Sequence, residues 1–455
     1  MSEKQLDKNL FKLASGRDFG HDAPFQTKPI GYYKDAWNRF KKNKASLVAG
    51  IILLTLIFMS IIGPLIRPDN FRKKHVMHAQ RLSNTYTELP PYIKALSWIP
   101  LFDGKRTIVT SNAYALQQLD NPEIIDRYGK ILYTNLDTLK PAADSTYKVR
   151  VQFYNYVNYK LSNEPTTLTT EELQAAYDAQ GVEGLGRMVT KEVRVYKEAD
   201  GSLTPGQSHR VHIEYFDFLD EVLDFKPEYW FGVNGNGYDW FTLLWSGARV
   251  SLIVAFVVAS VNIIIGLIVG SISGYYGGRT DLIIQRIIEI LAGIPFLALI
   301  SLLVLRFGSS IFIVILAFTL TGWLGIQGTT RTQFYRYKGR EYVLAARTLG
   351  ASDFRIMTKH ILPNAIGTLI TSFVLYIPSV IFTESTFSYL GIINYTNMTS
   401  VGRMLADAQS RLRDSTSLAF LMLFPAVFVS LLMLSFNLFG NGLRDAFNPS
   451  LRGVE

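Results

Sequence analysis

Residues 250–278 read VSLIVAFVVASVNIIIGLIVGSISGYYGG, 29 positions without a charged side chain. A helix rises about 1.5 Å per residue, so about 20 apolar residues cross the hydrocarbon core of a bilayer. The run is continuous rather than alternating, which excludes a strand of a membrane barrel. Backbone in lipid must satisfy its own hydrogen bonds, so the stretch predicts a transmembrane helix. Four more uncharged runs surround it: residues 45–66 (22 positions), 307–330 (24), 361–383 (23) and 415–443 (29). Residues 287–305 are a sixth candidate, interrupted only by Glu289. The fold expected is an all-α polytopic membrane protein of six transmembrane helices. The first run begins 45 residues in, and its 22 positions exceed the roughly 7–15 of a signal-peptide core. It is therefore expected to stay in the membrane.

The chain has 455 residues, no cysteine, and 46 Lys+Arg against 37 Asp+Glu, a net charge of +9. Its hydrophobic content excludes a disordered chain, and the absence of cysteine excludes a disulfide scaffold. Only 18% of residues are charged, but the average conceals two chemistries. Residues 67–240 hold 20 basic and 23 acidic side chains in 174 positions, the composition of an ordinary soluble domain. Within them, 147–161, 192–196 and 209–216 read as strands, rich in β-branched and aromatic residues. Residues 170–180 read as a helix with an acidic first turn. An α+β domain inserted between the first and second helices is the expectation. It carries 14 of the 24 tyrosines, which suit either strand packing or a binding surface. The pairs His75/His78 and His209/His212 raise a metal site, but an i,i+3 pair on a strand points to opposite faces, and no metal is expected.

Basic residues give the orientation. Residues 1–45 carry ten Lys/Arg and five acids, and 327–360 carry seven and two. Placing the first segment in the cytoplasm puts the second there as well, leaves 67–240 outside, and returns the C-terminus to the cytoplasm. The domains expected are a basic tail (1–45), a first span (46–66), the extracytoplasmic insertion (67–240) and a membrane core (241–455) with a cytoplasmic loop at 328–362. The positive charge is then a topology signal for a multi-pass plasma-membrane protein touching lipid, and no nucleic-acid partner is expected. No nucleotide-binding, nucleophile-elbow or paired-carboxylate motif is present, so no catalytic residue is assigned. The glycine-rich run at Gly232, Gly235 and Gly237 reads as a turn entering the membrane.

The cytoplasmic loop is the most shaped part of the membrane core. Residues 339–353 read GREYVLAARTLGASD, and 361–364 read ILPN. Residues 341–349 lack Gly and Pro and favour helix. Gly350 suits the left-handed position after a helix. Ser352 can cap the next helix, with Asp353 in its first turn. Ala345 and Ala346 are small enough to let another surface approach. Pro363 punctuates entry into the fifth span.

This pattern resembles the EAA loop of permease subunits in binding-protein-dependent ABC importers, in the oligopeptide/dipeptide (nickel) branch and its C-type subunit. Glu341, Ala345, Ala346, Gly350, Ile361, Leu362 and Pro363 fit it. So do the segments 37–44, 238–241, 246–252, 274–278 with Asp281, 383–391 and 436–445, so that the resemblance extends over about 260 residues, all but the far N-terminus and the insertion. Gly237-Tyr238-Asp239 departs from the family's Gly-Arg-Asp, and the insertion is far larger than the family's short loop. The resemblance implies the type I permease fold and a coupling helix docking on an ATPase, carried here by Glu341, Ala345, Ala346, Gly350, Ala351, Ser352 and Asp353. It implies a second permease forming a heterodimer, two cytoplasmic ATPase subunits that hold ATP and Mg, and an extracellular solute-binding (lipo)protein. This chain would bind no cofactor of its own and catalyse no reaction.

Three charges sit within or beside the runs: Arg249, Glu289 and Glu384. A charge in a span is costly and normally faces protein or a watery path. They either line the pathway or form structural pairs. The function expected is ATP-driven uptake of oligopeptides or dipeptides. The alternatives are an importer for another solute such as nickel, or a membrane-anchored sensor or adhesion protein that uses the insertion.

Overall fold

The computed structural model describes residues 32–66, 88–110, 119–134, 147–223, 228–396 and 398–447. His75 and His78 lie outside them. Helix α1 (Tyr32–Lys42) runs into α2 (Lys44–Ile66). Ala36 and Phe40 on one face of α1 are buried with Ala446, anchoring the entry segment to the far end of the chain.

Among the described residues, the insertion builds two small antiparallel sheets. Strand β1 (Lys105–Thr110) precedes α3 (Pro122–Tyr128); β2 (Tyr147–Gln152) follows and pairs with β1, Lys105 opposite Gln152. Residues 153–161, expected to continue that strand, instead form α4 (Phe153–Ser162). The reason is visible in the side chains. The Gln152 Oε1 accepts from the Tyr154 N–H at 2.9 Å and caps the helix, and Phe153, Val157 and Leu161 recur every four residues on its buried side. Strand β3 (Thr166–Thr169) leads into α5 (Thr170–Gln180), which begins with a capping box. Glu172 N–H donates to Thr169 Oγ1 at 3.2 Å, and Thr169 N–H donates to Glu172 Oε2 at 2.9 Å. Strands β4 (Val189–Arg194) and β5 (Ser208–Ile213) complete a sheet of order β3-β5-β4. The strand expected at 209–216 ends early, and Tyr215–Glu221 is helix α6. On β5, His209 is buried while His212 lies on the other face, half-exposed. Both His209 ring nitrogens are taken by the protein, Nδ1 by Tyr196 N–H at 3.2 Å and Nε2 by Thr170 Oγ1 at 3.1 Å.

Gly232 and Gly237 adopt φ of +83° and +79°, making the turn that delivers the chain to α7 (Trp240–Tyr276). Asp239 caps this helix, accepting from Thr242 N–H at 2.9 Å. The helix therefore starts well before the uncharged run, and Arg249 lies inside it rather than at its start. Next come α8 (Gly278–Ala292), α9 (Phe296–Phe307), α10 (Ile311–Tyr337), α11 (Glu341–Thr348), α12 (Asp353–Tyr389), α13 (Val401–Asp414) and α14 (Ala419–Phe447). Among the described residues, α2, α7, α10, α12 and α14 are each long and apolar enough to cross a membrane. The sixth expected span is not a straight helix: α8 and α9 meet at 68°. Gly293 and Pro295 explain the break, because glycine is a poor helix former and proline cannot donate the ladder hydrogen bond. Pro363 stands where it was expected, in the first turn of the long apolar stretch Leu362–Tyr389, and the π turn over Ile356–Ile361 joins that stretch to the start of α12 without ending the helix.

Helix α7 is the axis of the bundle, packing on α2, α10 and α12. Gly266, Gly270 and Gly274 form a stripe along it at four-residue intervals. A Cβ on any of them would lie 2.5–2.7 Å from Ile326, Thr330 or Arg331 of α10. Removing side chains lets two backbones approach, which is how helices associate where lipid supplies no hydrophobic drive.

Candidate functional site: the basic loop and the buried carboxylate

After Arg340, Glu341 opens α11 with an acidic side chain in its first turn. Val343 and Ala346 are buried beneath the helix. Val343 packs with Tyr275, Phe334, Ile356 and Ile361, residues from the ends of α7 and α10 and from the start of α12. The helix ends in a complete Schellman motif. Gly350 has φ +79°, its N–H donates to Arg347 O at 3.0 Å, and Ala351 N–H donates to Ala346 O at 3.0 Å. A Cβ on Gly350 would meet open space, so glycine is required by the backbone angle alone. Ser352 Oγ then accepts from Arg355 N–H at 3.4 Å and starts α12.

Tyr275, at the C-terminal end of α7, fastens this unit. Its hydroxyl donates to Asp353 Oδ1 at 2.5 Å and accepts from Arg347 Nη2 at 3.2 Å. Beside it, Asp281 on α8 accepts from Arg331 of α10 through both oxygens, at 2.6 and 2.5 Å, and from Ser273 Oγ of α7. The loop helix is therefore fastened to the ends of α7, α10 and α12. Of the loop residues predicted to matter, Glu341, Ala345, Gly350, Ser352 and Asp353 are exposed; Ala351 is half-buried, and Ala346 faces the protein. The two alanines thus do different things: Ala346 seats the helix and Ala345 lies open. Around Ala345 the surface is apolar, with Tyr342, Leu344, Leu349 (87% exposed) and Phe354 (73% exposed). Tyr275 and Arg347 were not singled out from the sequence, although Tyr275 falls within the quoted 274–278 motif.

The three charges of the spans are separate. Arg249 is exposed on α7. Glu289 is exposed on α8 and accepts from Arg286 Nη1 at 2.6 Å, an i,i+3 pair. Glu384 is fully buried on α12. Its Oε2 accepts from Ser251 Oγ of α7 at 2.8 Å, and its Oε1 accepts from Ser388 Oγ at 2.8 Å. Ser400, the cap of α13, and Tyr395 flank it. Burial, with the Glu384 carboxylate beside it, pushes the Tyr395 phenol up. No hydrogen bond or ion pair joins the three charges among the described residues. Glu384 instead ties α7, α12 and α13 at one point. Ser251 and Ser388 both lie in stretches quoted for the family resemblance, but nothing in one sequence told that they meet one carboxylate across 133 residues.

The family model for binding-protein-dependent transport system inner membrane components matches residues 241–453. The model for the N-terminal TM domain of oligopeptide transport permease C matches residues 31–91. The dipeptide transport system permease protein DppC of Bacillus subtilis (strain 168) is 42% identical over 233 residues, covering 51% of this chain and 72% of that one. The oligopeptide transport system permease protein OppC of the same organism is 41% identical over 227 residues, 50% and 73% of the two chains. DppC of Lactococcus lactis subsp. cremoris (strain MG1363) is 28% identical over 421 residues, 92% of this chain and 91% of that one. Only 281 residues lie outside 67–240, so this last match runs well into the insertion.

Proposed function

The chain belongs to the family of inner-membrane permease components of binding-protein-dependent transport systems, and from that membership we propose that it imports peptides. The names of the relatives support the substrate class, dipeptides or oligopeptides. The observation that carries the mechanism is the seat of α11. A short helix with an apolar outward face is locked by Val343, Ala346 and Tyr275 to the ends of three long helices. Such a part suits transmission of an external push into the bundle.

In this reading, Glu341, Tyr342, Ala345 and Leu349 through Asp353 meet a cytoplasmic ATPase subunit. A second permease completes a heterodimer, and a second ATPase meets its loop. ATP and Mg are held in those subunits, and their closure biases the bundle between two arrangements, one open to each side. Residues 1–45 and 328–362 face the cytoplasm, and 67–240 face outward, where a solute-binding protein delivers the peptide. The insertion serves as its docking platform or as a cap over the mouth. Arg249, Glu289 and Glu384 are candidates for the pathway. The direct test is to purify the assembly with its partners and measure which solute, loaded on the binding protein, stimulates ATP hydrolysis. Stimulation by a peptide is expected. Stimulation by a nickel chelate and not by peptide would refute the substrate class.

A further inference from the structure

The insertion carries an exposed tryptophan in an unusual setting. Residues 93–102 form a closed loop, pinned at its base by the Tyr92–Asp103 bridge and by Ile93 N–H donating to Phe102 O at 3.3 Å. Consecutive turns stiffen it, with Leu96 N–H to Ile93 O, Ile99 N–H to Leu96 O and Phe102 N–H to Ile99 O, each at 2.9 Å. At the tip, Trp98 is 78% exposed, and Lys94 and Ala95 beside it are exposed too. Such a ring in water, held rigid by its own loop, calls for an apolar partner.

The position of the loop says which. Leu101 packs against the core of the helical bundle, and Phe102 lies 6.4 Å from Phe424 in the second turn of α14. Phe424 stacks on Phe231 at 4.0 Å, and Phe231 meets Phe241 of α7 edge-on at 5.1 Å. One turn further into the bundle, Trp245 touches Gly63 of α2 and meets Phe428 of α14 at 5.7 Å. The loop therefore rests on the bundle at the level where α2 ends, with Leu65 and Ile66 exposed, and where Leu423 is exposed on α14. Those side chains close the apolar faces of two helices long enough to cross a membrane, and the base of the loop that carries Trp98 packs beside them through Leu101 and Phe102. Tryptophan is enriched at this boundary because its ring prefers the acyl edge and its N–H the headgroups. Lys94 adds a cation suited to lipid phosphate.

We propose that residues 93–102 are a bilayer anchor, with Trp98 seated in the headgroup–acyl boundary at the insertion's end of the bundle. The loop fixes the insertion against the membrane as well as against the helices. The inference requires only that the bundle spans a membrane, and it holds whatever solute is carried.

The chain has no cysteine, so one introduced cysteine gives one label. Trp98→Cys and, with the tryptophan kept, Ala95→Cys would carry a nitroxide in the full chain, reconstituted in phosphatidylcholine–phosphatidylglycerol vesicles. Glu198→Cys, on an exposed turn of the insertion, is the aqueous reference. Collisions with oxygen, which concentrates in bilayers, are compared with those of a water-soluble nickel chelate. Labels at 98 and 95 are expected to favour oxygen several-fold over the label at 198. The proposal is overturned if they meet the chelate as freely as the label at 198. It is equally overturned if both reagents are excluded, which would mean that protein and not lipid covers the tip.

Discussion

Tyr275 shows how much one hydroxyl can be asked to do. It joins the last residues of α7 to Arg347 within the loop helix and to Asp353 just after it. Tyr275→Phe keeps the ring packed and removes both hydrogen bonds, each worth about 0.5–1.5 kcal/mol net and more where a charge takes part. The expected result is faster amide exchange over residues 341–355, and several-fold lower uptake while ATPase subunits still copurify. Unchanged uptake with unchanged exchange would show that the bonds transmit nothing. Glu384 offers a second case. Glu384→Ala leaves the Ser251 and Ser388 hydroxyls without their buried acceptor, at a cost of about 1–3 kcal/mol per unpaired group. Glu384→Gln keeps an acceptor and should be milder in assembly. If the alanine variant assembles normally and transports at the wild-type rate, Glu384 has no part in the pathway. Of these residues, Glu384 was evident because a charge at the edge of an apolar run stands out. Its hydroxyl neighbours were not, because serine and tyrosine look the same in a sequence whether or not they meet a carboxylate.

At the scale of elements, the uncharged runs located the long helices well, since burial in lipid leaves a one-dimensional record. The failures arose where local chemistry competed with composition. The run of β-branched and aromatic residues at 147–161 hid a Gln152 cap and a four-residue apolar repeat, and tertiary packing selected helix from Phe153 onward. The Gly293–Pro295 break bent the sixth span, a signal that was present but outweighed by overall hydropathy. The glycine stripe on α7 was also present in the sequence, but its partner on α10 could not be read from it. Two glycines on facing helices test the packing account. Gly270→Ala puts a methyl 2.6 Å from Thr330 Cβ and 2.7 Å from a backbone oxygen, and overpacking of this kind costs about 1–3 kcal/mol. Gly328→Ala on α10 meets open space and should gain up to about 1 kcal/mol of helix propensity. Thermal unfolding in detergent is expected to move down for the first and up or not at all for the second. A Gly270→Ala protein as stable as the wild type would contradict the close approach.

At the scale of the whole molecule, the two chemistries of the composition correspond to two apolar cores, one within the helical bundle and one within the insertion. They are joined rather than loosely tethered. Glu88, held at φ +62°, accepts from Arg106 at 3.0 Å within the insertion and from Arg411 of α13 at 3.2 Å. A pH response of the insertion's own is expected from His209. His209 is buried, its Nδ1 accepts a backbone N–H, and burial pushes the imidazole below its ordinary value of 6.5. The unfolded chain therefore takes up the proton first as pH falls. Stability from this residue is complete above about 6.5 and declines below it. Protection factors in β5, corrected for the intrinsic exchange rate at each pH, are expected to fall as pH drops from 7 to 5, with His209→Gln reducing that dependence and His212→Gln keeping it. A dependence equal in all three proteins would assign it elsewhere. Inward-facing Val343 and Ala346, with outward-facing Leu349 and Phe354 just beyond the helix, suit the loop to the docking role proposed for it. The measurement that tests this most directly is recovery of ATPase subunits with the purified chain, wild type against Gly350→Pro. Proline is confined to φ near −65° and cannot adopt the +79° that stops α11, while the long helices are left intact. The ATPase subunits are expected to copurify with the wild type and to be lost with Gly350→Pro at unchanged helical content. Full recovery of ATPase subunits and of uptake with the proline variant would contradict the account.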